Sequence, residues 1–347
     1  MTEQHWTQLQ AVVNGELLSP SPVGFIIDSP WLPNWCGISL LDYFTSDELW
    51  LKANLKAVET FPDVMFLPGF WSEFGMCSEP SAFGARSSFP DNEFPHAYPF
   101  ITSAGQIEGL PQPDPVKDGL GPLVLNRLKL NEKRINDAGH QIRFSVSRGP
   151  LNIASYLMGT TEFLLAMMTH PVEIHLLIRK ITDYLKAFHD HQAEMFPAID
   201  GILMLDDIIG FISGEQFVEF GLPYFKEIFD RSVGIKFLHN DAQCMESVQY
   251  LPEMGVNLFN MGFETDLNEL KELTGNSVTM LGNIPPRDVL AGGSAEEIKA
   301  GVESLMTGLK DHSRVIFSCG GGMPPGVSTD QLNAFIDAVK CRTDNNH

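Results

Sequence analysis

The chain has 347 residues, 44% of them hydrophobic, enough to bury the core of one large domain or two ordinary ones. Lys and Arg number 23 against 44 Asp and Glu, and the resulting formal charge of −21 repels phosphate backbones and anionic membranes, so neither is an expected partner. Five cysteines without CxxC spacing argue against a disulfide framework; with the polar start MTEQHWTQLQ and no apolar run near 18 residues, they point to a cytoplasmic chain with reduced thiols.

Residues 1–60 read as an N-terminal extension, followed by a first candidate strand, DVMFLP (63–68). Residues 80 to about 140 are rich in Pro, Gly and aromatics, as in EPSAFGARSSFPDNEFPHAYPF and GLPQPDPVKDGLGP. This stretch reads as a loop-rich excursion over one face of the domain, either a lid or a packing elaboration.

From about residue 143 short β-branched or aromatic runs alternate with helical periodicity. The strands are RFSVS (143–147), GILMLD (201–206), GIKFLH (234–239), VNLFNM (256–261), VTMLGN (278–283) and RVIFSC (314–319). Between them, Ile174, Leu177, Ile178, Ile181, Leu185 and Phe188 mark one apolar helix stripe, and Leu332, Phe335, Ile336 and Val339 another. Ser213 with Gln216, Ser294 with Glu297, and Ser328 with Gln331 have the spacing of helix-starting capping boxes. Seven strands, with an eighth in the N-terminal half, predict one (β/α)8 barrel over 1–347; the lack of a GxGxxG turn weighs against a dinucleotide-binding sheet.

In such barrels chemistry sits at the C-terminal strand ends. Those positions hold Asp206 and Asp207, then His239, Asn240 and Asp241, then Asn260, Asn283 and Cys319. An imidazole, a carboxylate and a thiol suffice for three zinc bonds with a fourth position open to substrate. Each has a plainer alternative: Cys319 as a small buried hydrophobe, His239 as a packing residue, Asp241 as the cap of a helix starting near Ala242. The glycines 320–322 after Cys319 either let backbone approach a bound group or only make a turn.

KFLHNDAQ (236–243) and CGGGMPPGVSTDQLNAFIDAV (319–339), together with SRGPLNIASYLMGTTEFL (147–164), resemble the uroporphyrinogen decarboxylase superfamily, in particular its zinc-dependent corrinoid methyltransferase branch. The resemblance implies a (β/α)8 barrel, zinc, and a partner protein that carries cobalamin. His239 and Cys319 match the branch's zinc positions, while Asp241 stands where a cysteine is usual. Either Asp241 replaces that thiolate or Glu73 or Cys77, in FWSEFGMCSEP, supplies the third ligand. Otherwise Glu73 and Cys77, with Asn260, are expected to contact substrate. Tyr156 matches the family's tyrosine after its Gly-Pro segment, and with Asp206 and Asp207 it is the candidate for catalytic orientation or proton delivery.

EFGMCSEPSAFGARSSFPDNEFPHAYPFI is similar to the N-terminal half of O-demethylase members. The implied donor is a small methylated compound, a methoxylated aromatic or another methyl ether, and a homodimer is a candidate assembly. Porphyrinogen decarboxylation is the alternative, and methylcobalamin:thiol transfer a second. Against decarboxylation, the first arginine is Arg86, and VMFLPGF stands where that enzyme's catalytic aspartate motif would fall.

Overall fold

The computed structural model describes residues 1–27 and 30–344, with side chains as far as Cys341. Eight parallel barrel strands lie in it: β1 Gly24–Ile26, β2 Met65–Leu67, β3 Phe144–Arg148, β4 Gly201–Leu205, β5 Ile235–Asn240, β6 Leu258–Met261, β7 Thr279–Ile284 and β8 Val315–Cys319. Strands β3 to β8 form a continuous ladder in chain order, and β1 pairs with β2. The pair joins β8 through the Val23–Phe317 bridge, where the Phe317 N–H donates to Pro22 O at 2.9 Å. The fold is the expected (β/α)8 type, and residues 1–60 supply its first strand and crossover as well as extending it.

The helices used below are α1 Glu3–Val13, α2 Asp47–Thr60, α3 Gly121–Asp137, α4 Pro150–Met158, α5 Pro171–Met195, α6 Leu222–Phe229, α7 Leu267–Leu273, α8 Ala295–Gly308 and α9 Thr329–Asp344. All three expected capping boxes form, at Ser213, Ser294 and Ser328. The stripe of α5 is buried from Ile174 to Phe188, as its spacing requires. The 80–140 excursion is shorter than expected, because α3 occupies its last 17 residues with Val124, Leu125, Leu128 and Ile135 buried. Before α3 the segment carries a short hairpin, Arg86–Ser88 with His96–Tyr98. The β5 to β6 crossover holds only a 3-10 turn at Val248–Tyr250.

Strand side chains alternate between two faces. One face packs beneath the helices in a large outer core. The other fills the lumen with Ile26, Met65, Leu67, Phe144, Leu203, Leu205, Ile235, Phe237, Leu258, Leu281 and Ile316. Trp6, Leu9, Val12 and Val13 of α1 belong to the same cluster, so α1 plugs the N-terminal end. Each such buried side chain contributes roughly 2 kcal/mol relative to exposure. At the other end the same inward rows become polar, continuing to Arg148, His239, Asn260, Asn283 and Ser318.

Among the described residues β2 and β3 share no ladder. There Gln192 of α5 stands in for a strand: its Oε1 accepts from Val146 N–H at 2.9 Å and its Nε2 donates to Val146 O at 3.1 Å. Both peptide groups are thereby satisfied.

Candidate active site

Strand β5 ends by aiming His239 into the mouth. Its Nδ1 lies 2.7 Å from Asn260 Oδ1, and Asn260 Nδ2 donates to Leu281 O at 2.7 Å. The second bond fixes which end of the amide faces the ring, so Nδ1 carries a proton and donates. Nε2 is left facing Asp241 Oδ1 at 3.4 Å. The two face each other as a nitrogen and an oxygen that one bound cation could share. Asn260, expected as a substrate contact, is fully buried and instead orients His239.

No helix starts at Ala242, which removes the capping role for Asp241. Its backbone N–H instead donates to Asp207 Oδ1 at 2.8 Å, while the N–H groups of Asp207 and Ile208 donate to Asn152 Oδ1 at 3.0 and 3.1 Å. The ends of β4 and β5 are thus tied together with two carboxylates side by side. Gly321, at φ +67°, is required here: a Cβ on it would lie 2.0 Å from Asp241 Oδ1. The glycine run lets backbone approach Asp241 closely.

Cys319 is fully buried in the outer core with Phe317, and its Sγ lies 4.0 Å from Gly321 O. Among the described residues no three His, Cys, Asp or Glu side chains group closely enough to hold a metal ion. For zinc, His239 near the end of β5 and Asp241 just past that strand offer an imidazole nitrogen and a carboxylate oxygen, two donors of the three or more that a zinc site needs. Cys319 lies behind them on the opposite strand face.

A second charged group, unanticipated at its centre, occupies the β3 side. Arg148 Nη2 donates to Glu73 Oε2 at 2.8 Å, its backbone N–H donates to Glu79 Oε1 at 2.8 Å, and its Nη1 lies 3.9 Å from Glu79 Oε2. All three are buried. Burial alone would lower the guanidinium's pKa, but the two carboxylates outweigh it and hold Arg148 charged. Burial also pushes the Glu79 carboxyl up. Glu73 is therefore a partner of Arg148, and Cys77 is fully buried, its thiol raised by desolvation.

Burial raises the phenol of Tyr156 above its ordinary range, which keeps it a hydrogen-bond donor near Arg148 and Asp207. Asp206 is fully enclosed. Its Oδ2 accepts from Leu151 N–H at 2.9 Å and Asn152 N–H at 3.1 Å at the start of α4, and its Oδ1 has no partner. Desolvation pushes its carboxyl up to about 8, with the proton best placed on Oδ1. Asp206 braces α4, and Asp207 faces the mouth.

Beside Asp241 opens a cleft of about 390 Å³ bounded by Gly210, Phe211, Asp241, Gly262, Phe263 and Glu264. Polar residues converging at the C-terminal strand ends beside an open cleft define a barrel enzyme's active site.

Residues 11–341 match the family described as Uroporphyrinogen decarboxylase (URO-D), and the chain belongs to that family. Curated relatives named uroporphyrinogen decarboxylase include one from Magnetococcus marinus, 28% identical over 83% of this chain and 79% of that protein. Another, from Serratia proteamaculans, is 25% identical over 77% of each. Among solved structures, a methyltransferase from Methanosarcina mazei superposes with TM-score 0.80 at 19% identity, covering 97% of this chain and 98% of the other. A B12-independent methionine synthase from Shewanella sp. W3-18-1 reaches 0.59 at 10% identity, covering 94% and 97%. At these identities the structural likeness establishes the fold. Among the described residues no helix is long and apolar enough to cross a membrane.

Proposed function

We propose that this protein is a methyltransferase that moves a methyl group from a small methyl ether, preferably a methoxylated aromatic, to Co(I) of a corrinoid on a partner protein. The observation that carries this reading is the His239–Asp241 pair, whose Asp241 lines an open cleft, together with a buried guanidinium already paired with two glutamates. His239 and Asp241 would hold zinc as a pair of donors; Cys319 faces the outer core and would have to turn toward them to complete the set expected from the sequence. When bound, zinc supplies Lewis acidity toward the departing ether oxygen, and reduced cobalt supplies the nucleophile that no side chain here provides.

The chain's own residues do the rest. Asn260 holds His239 in one tautomer and orientation. Asp207 fixes the backbone that presents Asp241. Tyr156, kept protonated, donates a hydrogen bond at the mouth.

The names of the curated relatives favour porphyrinogen decarboxylation as a second reading. A polycarboxylate substrate needs unpaired guanidinium donors, and Arg148 is committed to Glu73 and Glu79. One experiment separates the readings: the full chain, zinc-replete, is mixed with Co(I) cobalamin and methoxylated, methylamino or methylthio compounds while methylcobalamin is followed by its spectrum. A parallel sample receives uroporphyrinogen and is assayed for released CO2. Methylcobalamin growth with ethers supports methyl transfer. CO2 release without it overturns the proposal, and consumption of added methylcobalamin by thiols reverses the direction.

A further inference from the structure

The cleft beside Asp241 is walled by two large rings exposed to solvent, Phe211 at 63% and Phe263 at 44%. They follow β4 and β6, on either side of the loop after β5 that carries Asp241. Single exposed apolar side chains are ordinary, but these two line one concave space next to the proposed donors.

The loops that carry them are fastened. Asn283 Nδ2 donates to Thr265 O at 2.8 Å, a Cβ on Gly320 would fall 2.6 Å from Phe263 N, and one on Gly210 would fall 2.4 Å from Gln243 O. Between them, Ala242 N–H donates to Asn240 Oδ1 at 2.8 Å and Asn240 Nδ2 to Gln243 O at 3.2 Å. The walls are therefore held in place before a ligand arrives, which lowers the ordering cost of binding. Among the described residues neither ring stacks on another aromatic ring. Planar ligands gain from such faces beyond simple area burial.

Charge narrows the class. The cleft lining contains two carboxylates, Asp241 and Glu264, and no Lys, Arg or His. Arg148 is enclosed with its own glutamates. Zinc at His239 and Asp241 would offset Asp241 but leave Glu264 facing the ligand.

We infer that Phe211 and Phe263 form an aromatic clamp, and that Glu264 restricts it to planar aromatic ethers without a negative charge, so that a methoxyphenol is accepted and a methoxybenzoate refused. The inference rests on the methyl-ether reading and specifies its substrate class.

The test measures binding by titration calorimetry on the full-length, zinc-replete protein at pH 7, without cobalamin, using 2-methoxyphenol, 4-methoxybenzoate and cyclohexyl methyl ether. The methoxyphenol should bind at least about fivefold tighter than either other compound, the size expected from one screened like charge or a missing ring face. Phe211→Leu and Phe263→Leu, which keep apolar bulk and are checked for unchanged melting, should weaken it about tenfold. Glu264→Gln should narrow the gap to the benzoate. Equal binding of benzoate and phenol, no effect of either Leu variant, or no binding at all overturns the clamp. If the binding pattern holds while no ether methylates Co(I), the methyl-transfer reading fails and the clamp stands. If ethers are demethylated but the Leu variants bind normally, the clamp fails alone.

Discussion

Two acidic clusters share the mouth and are built on opposite principles. Around Arg148 the carboxylates of Glu73 and Glu79 are buried and share one enclosed guanidinium between them. Around His239, Asp241 is about half exposed, Asp207 is partly exposed, and imidazole and carboxylate face each other across 3.4 Å. The closed cluster shapes the wall, and the open one is left able to react. Polar groups at equivalent strand ends differ in role because one set has spent its charge inside the protein.

Asp206 provides the largest effect by which to sharpen this contrast. Its folded value of about 8 lies above the ordinary 3.8, so the fold favours the protonated acid. The stability it contributes is complete below about pH 4 and is lost as pH rises through 8, by up to about 6 kcal/mol at about 1.4 kcal/mol per unit. Urea unfolding between pH 4.5 and 8.5 should show wild type falling relative to Asp206→Asn. Parallel profiles would mean that Asp206 ionises freely.

Arg148→Ala would leave two buried carboxylates without their cation and should cost about 3–5 kcal/mol in urea unfolding. A cost below about 1 kcal/mol would erase the distinction between closed and open clusters. His239→Ala should do the reverse: methyl transfer should drop at least about 100-fold, equivalent to about 2.7 kcal/mol, while the unfolding free energy falls by only about 1–3 kcal/mol for the Asn260 oxygen left unpaired. Zinc per chain should fall with it, measured by metal analysis after purification. Retained zinc and activity would place the reactive centre elsewhere.

Smallest, Gln192→Ala should cost about 2 kcal/mol, because Val146 would lose partners for both its peptide groups. Hydrogen exchange at the Val146 amide should accelerate with little change at β6. Gln192 and Arg148 line one narrow space, so a fall in activity would show that the closed cluster depends on the seam.

The later strands were legible because each is an apolar run of strand length bounded by turn residues, and the structure keeps them within two positions. Strand β1 has only three residues and was foreseen without a location, while α3 was hidden by the prolines and glycines of the tract before it. At the candidate site, the strand-end rule picked out the positions of His239, Asp241, Asp207 and Asn260, all of which lie at or just past the C-terminal ends of their strands. It missed Arg148, whose polar strand-end position was visible but whose partners lie 75 and 69 residues away. Asn260 and Glu73 are turned toward His239 and Arg148, and residue type and position alone do not reveal which way burial turns a side chain. Phe211 and Phe263 stand as large aromatics past strand ends, a pattern that exposed apolar residues share and that does not by itself mark a site.

Helix α1 fills the lumen's lower end, so access to the proposed site runs through the mouth at the C-terminal strand ends. Under the proposed reaction a small donor and a bulky cobalt carrier must both use it, so they arrive one after the other. Release of the demethylated product then has to wait until the carrier departs, which makes carrier departure a natural limit on turnover.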